Sequence, residues 1–132
     1  MKSMLPATIL VVDDNRGILS AAELLLRAHF RRVVTTHNPE RIRALIRDES
    51  PDVVLLDMNF HAGINSGNEG LFWLAEIRKL RPAPAVVLFT AYADIDLAVR
   101  GIKEGAADFI VEAVEVFVNA LQFFDLLQIA FK

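Results

Sequence analysis

Acidic residues and one hydroxyl stand where short apolar runs stop in this 132-residue chain. Asp13-Asp14 follows Thr8–Val12, Asp57 follows Val53–Leu56, Thr90 follows Val86–Phe89, and Glu112 follows Asp108–Val111. Carboxylates that converge on one crevice repel each other, and a hard divalent cation held through oxygen relieves the repulsion. Magnesium suits a site of few carboxylates and several waters. With such a cation in place, Asp57 could attack a phosphoryl donor and Thr90 could donate its hydroxyl to a phosphoryl oxygen. A plainer role competes, because acids after strands often cap the next helix, and Asp14 or Asn15 could cap one opening at Arg16. Capping alone does not account for two adjacent acids facing a third.

The elements that must position these residues follow from the apolar pattern. The runs at 8–12, 32–36, 53–56, 86–89 and 108–111 are short, and three of them are continuously apolar, as strands buried on both faces are. Between them lie helical spacings: Ile18, Leu19, Ala22, Leu25, Leu26 and His29; a helix capped at Asn38-Pro39 and running to Glu49, broken by Ser50-Pro51; Leu71, Leu74, Ile77 and Arg78, ending before Pro82; and 94–104, closed by Gly105. Residues 114–131 form the last expected helix. Asn59–Gly70, with three glycines and three asparagines, reads as a long loop. Five strands alternating with five helices imply an α/β fold, a doubly wound parallel sheet with right-handed crossovers. Such open sheets bind ligands beyond the carboxyl ends of their strands, where the acids stand.

Composition narrows the function classes. With 54% hydrophobic and 23% charged residues, the chain reads as one globular domain over 1–132, with 1–7 as an N-terminal extension. The absence of cysteine excludes disulfides, thiolate metal sites and a thiol nucleophile. A net charge of −3 gives no electrostatic reason to bind nucleic acid or an anionic membrane. No signal peptide or membrane span is legible, so a cytoplasmic location is expected. His29, His37 and His61 lack metal-ligand spacing, and the arginines at 27, 31, 32, 41, 43 and 47 read as a solvated face.

ILVVDDN at 9–15, DVVLLDMNF at 52–60, VVLFTAYAD at 86–94 and GIKEGAADFIV at 101–111 together resemble the receiver domain of bacterial two-component response regulators. The long loop after Asp57 is similar to receivers of nitrogen-regulation-type activators. The resemblance implies a flavodoxin-like sheet of order 2-1-3-4-5 and a phosphoacceptor rather than a classical enzyme. It implies that Asp57 accepts the phosphoryl group of a histidine kinase or phosphotransfer protein. Asp13, Asp14, Asp57 and the backbone carbonyl of Asn59 are then the Mg2+ ligands. Thr90 is then the hydroxyl that moves toward the phosphoryl group, and Phe109 the switch aromatic.

One departure stands out. Receivers carry a lysine and then a proline after the fifth strand, where this chain has Glu112-Ala113. The exchange changes the local charge by two units and removes a fixed ammonium from the phosphoryl site, which is expected to slow phosphotransfer. It also raises the alternative of a pseudo-receiver that binds partners without phosphate. A phosphohydrolase using Asp57 is a third reading, weakened because Asn59 is not a second acid. Val111-Glu112-Ala113-Val114 could also arise by a shifted reading frame, which would make residues 112–132 an out-of-frame tail. Yet Glu115, Asn119, Gln122, Asp125, Gln128 and Lys132 recur at three or four, which favours a genuine amphipathic helix. Val118, Leu126 and Ile129 interrupt its polar face and suggest a homodimer surface with the fourth helix and fifth strand.

Overall fold

Each apolar run forms a strand whose alternate side chains enter opposite halves of the core. A computed structural model describes residues 5–58, 68–90 and 95–111. In chain order these are β1 (Leu5–Val12), α1 (Arg16–Leu26), β2 (Phe30–Thr36) and a 3-10 turn (Pro39–Arg41) leading into α2 (Ile42–Glu49). There follow β3 (Val53–Asp57), α3 (Asn68–Arg78), β4 (Ala85–Thr90), α4 (Ile95–Lys103) and β5 (Asp108–Val111). All strand pairs are parallel and the order is β2-β1-β3-β4-β5. The doubly wound α/β sheet is therefore as expected; the fifth helix, 114–131, lies outside the described residues.

Parity along the strands divides the interior. Ile9, Val11, Val53, Leu55, Val87, Phe89 and Ile110 pack on the side covered by Leu19, Ala22 and Leu26 of α1. Leu10, Val12, Val54, Leu56, Val86 and Leu88 face Ile42 and Ile46 of α2, Leu71, Leu74 and Ile77 of α3, and Leu97 of α4. Val53 to Leu56 are wholly buried. At about 1.5–3 kcal/mol per large apolar side chain, this two-sided burial holds the strand ends in fixed register.

Several boundaries differ from the sequence reading. β1 begins at Leu5, inside the expected extension: Leu5 pairs with Phe30 and Thr8 with Arg32, so one extra residue bulges beside Pro6, which has no N–H to give. β2 begins at Phe30, two residues early, because Phe30 is buried against α1. The loop expected through Gly70 ends sooner, since α3 starts at Asn68. His29 falls beyond the end of α1, which closes at Leu26.

The arginines of the first half are exposed and mostly engaged with acids. Arg27 pairs with Glu23, Arg32 with Glu49, Arg43 with Glu76 and Arg47 with Asp48, while Arg43 also lies over the Trp73 ring.

Candidate functional site

The acids meet because of sheet register. Val12 of β1 pairs with Leu56 of β3, so Asp13 and Asp57 occupy the next step on neighbouring strands, about 4.8 Å apart in the direction across the sheet. Strand parity sends both toward the same side. Asp13 is 2% and Asp57 7% exposed, whereas Asp14 is exposed. One carboxylate oxygen from each of Asp13, Asp14 and Asp57 lies within 4.8 Å of the other two.

Backbone contacts fix the cluster. Asp13 N–H donates to the Thr36 carbonyl (3.2 Å), tying the end of β1 to that of β2. Asp13 Oδ1 accepts from the Asn15 N–H (2.8 Å). Asn15 caps α1, its side-chain oxygen accepting from the Ile18 N–H at 3.1 Å. The capping role is thus filled by Asn15, which leaves Asp14 to the acid cluster. Beyond Asp57, Met58 N–H donates to the Phe89 carbonyl (2.9 Å), extending the β3–β4 ladder one step past the acid.

The donor set suits a hard cation. All three groups are carboxylates, and magnesium places opposite ligands about 4.2 Å apart, calcium about 5 Å. The 4.8 Å within which the three oxygens lie is comparable to these spans. Two of the three acids are buried, and ionised carboxylates this close together repel each other. The residues present therefore fit a divalent metal ion.

The other expected site residues are placed unequally. Thr90 is the last residue of β4, paired with Val111 and one step beyond the Phe89 that pairs with Asp57. Phe109 of β5 is half-buried between the sheet and α4, close to Gly101. Asn59, Glu112, Val118, Leu126 and Ile129 lie outside the described residues. A groove of about 590 Å3 beside Arg47, Pro51 and Pro84 sits at the opposite, amino ends of β3 and β4 and shares no residue with the acids. Sequence reasoning missed the part of Gly70, whose N–H donates to the Met58 carbonyl at 3.1 Å. No apolar period marks such a backbone contact.

Comparison with known proteins agrees with this geometry. Residues 9–116 match the response regulator receiver domain family. The N-terminal signal receiver domain of a two-component response regulator from Bacteroides fragilis is 50% identical, with a TM-score of 0.81 over 96% of this chain and 98% of that one. A response regulator from Burkholderia pseudomallei, solved with a phosphorylated aspartic acid and a calcium ion, is 29% identical with a TM-score of 0.65, covering 92% of this chain and 71% of that one. The DNA-binding transcriptional regulator NtrC of Salmonella typhimurium is 29% identical over 106 residues, 80% of this chain and 22% of NtrC. The chain spans less than a quarter of the length of such curated relatives. Among the described residues no helix is long and apolar enough to cross a membrane. The chain belongs to the response regulator receiver domain family.

Proposed function

We propose that Asp57 is the phosphoacceptor of this receiver and that Asp13, Asp14, Asp57 and the Asn59 carbonyl hold Mg2+. The observation that carries this reading is the convergence of three carboxylate oxygens within 4.8 Å at the carboxyl ends of β1 and β3. An Asp57 oxygen attacks phosphorus, forming an acyl phosphate as the bond from phosphorus to the donor nitrogen breaks and that nitrogen keeps the electron pair. The bound cation supplies neutralisation of charge on the transferring oxygens. Asp13, fixed by Thr36 and Asn15, holds its carboxylate beside the acceptor. Thr90 offers its hydroxyl to the phosphoryl group, and Phe109 relays the change toward α4.

The donor in this reading is a sensor histidine kinase or phosphotransfer protein in the cytoplasm. The switched surface comprises α4, β5 and the segment carrying Val118, Leu126 and Ile129, through which two copies pair. Val99 and Ile102, each close to half exposed on α4, support an apolar contact there. Glu112 favours a second reading, a pseudo-receiver that binds partners without phosphate, because the ammonium that receivers place there is missing.

Incubation with acetyl phosphate and Mg2+, followed by intact-mass measurement, separates the two. The first reading expects one added phosphoryl group, absent in Asp57→Asn and after chelation. An unmodified chain under these conditions overturns it in favour of the pseudo-receiver, and modification that survives Asp57→Asn removes Asp57 as the acceptor.

A further inference from the structure

Met58, the residue next to the proposed acceptor, is wholly buried and held from two sides. Its N–H is bonded to Phe89 of β4, and its carbonyl accepts from Gly70 of α3. Gly70 is the third residue of α3, so its N–H has no acceptor within the helix. The Met58 carbonyl takes that place at 3.1 Å. The contact also depends on the missing side chain. A Cβ on Gly70 would lie 2.6 Å from Met58 Cα and 3.0 Å from both its carbonyl oxygen and its sulfur. Two of those three atoms are backbone and cannot rotate away. Restoring ordinary contact at 3.4 Å requires α3 and the end of β3 to separate by about 0.8 Å.

We propose that Gly70 is a positioning residue of the acid site: by close approach and one hydrogen bond it fixes Met58, and through Met58 the carboxylate of Asp57. The proposal rests on the reading of Asp57 as a cation ligand. It assigns to the first turn of α3 a part in the site although α3 contributes no acid to it. The Met58–Gly70 hydrogen bond closes the end of β3 against the first turn of α3.

The test is Mg2+ binding by titration calorimetry on the whole chain, comparing Gly70→Ala, Asp57→Asn and Ile46→Val, the last a core change remote from the acids. Supporting metal ligands from behind is typically worth ten- to a hundredfold in affinity, so Gly70→Ala is expected to bind Mg2+ about 10–100-fold more weakly while still melting cooperatively. Ile46→Val is expected to stay within about twofold of the unmodified chain, which separates positioning from lost stability. Affinity within twofold in a folded Gly70→Ala overturns the proposal. Equal affinity in Asp57→Asn overturns instead the underlying reading of Asp57. If Gly70→Ala does not fold, hydrogen exchange of the unmodified chain decides. The Gly70 amide must exchange slowly despite its first-turn place and must shift in step with Mg2+ saturation. Fast exchange or an unmoved resonance removes the closure.

Discussion

Replacing Asp57 with asparagine preserves the side chain's size and removes one charge from the cluster at the ends of β1 and β3. Asp13 and Asp57 are almost buried and offer oxygens within 4.8 Å of each other. Two unit charges at that distance repel by about 3.5 kcal/mol at an effective dielectric constant near 20. Side-chain relaxation and neighbouring dipoles reduce the figure, leaving a gain of about 1–3 kcal/mol for Asp57→Asn in chelator. For a domain of this size that raises Tm by about 3–10 °C. Magnesium should reverse the ranking. At a hundred times Kd the unmodified chain gains about 2.7 kcal/mol from a ligand that binds only the folded state. The variant, short of one ligand, gains far less. Calorimetric melting of both proteins in chelator and across a Mg2+ series reads both effects. Equal melting temperatures in chelator together with equal Mg2+ shifts would show that the three carboxylates do not share an ion.

Glu112→Lys is expected to raise the rate of phosphorylation by acetyl phosphate about tenfold or more, since a fixed charge at a developing phosphoryl charge is worth at least that; an unchanged time course by intact mass dismisses the missing ammonium as a brake. Glu76 accepts from Lys79 and Arg43, and these bonds hold its carboxyl below the usual glutamate value of 4.5. A lowered value means that the stabilisation is full above pH 4.5 and is lost as pH falls through the lowered value. Glu76→Gln should therefore lower Tm at pH 7 and converge with the unmodified chain in acid, and a pH-independent difference would contradict the pairing. Gly105 has φ +104°, and a Cβ there would meet the Arg78 guanidinium at 2.5 Å. Gly105→Ala is expected to cost about 1–3 kcal/mol in urea denaturation, mostly from the backbone, because the arginine can swing away; an unmoved midpoint would mean that α4 ends differently.

The parts of the fold that the sequence makes legible are those governed by burial. Val53 to Leu56 are apolar without interruption because both faces of β3 are covered, and the abrupt change to a carboxylate at Asp57, itself buried, marks the site. The same abruptness marks Asp13 after β1. Periodicity is silent on what depends on backbone contact. Pro6 falls in the expected N-terminal extension, yet it occupies a bulge within β1, since a bulged residue needs no ladder N–H. Asn68, Glu69 and Gly70 continue a glycine- and asparagine-rich stretch and read as loop, yet they form the first turn of α3.

Burial also explains why three acids are a stronger signal together than singly. An isolated aspartate after a strand is well served as a helix cap, and here Asn15 already fills that role with its bond to the Ile18 N–H. The pairing of Val12 with Leu56 then forces Asp13 and Asp57 side by side. That neighbour relation comes from the order β2-β1-β3, which brings together strands separated in sequence by a helix, a strand and another helix. Local patterns name the acids but not this adjacency; the crossover topology supplies it. With the repulsion fixed by register and the cap filled elsewhere, the cluster is expected to be more stable holding a cation than bare, so that cation binding and fold stability rise and fall together.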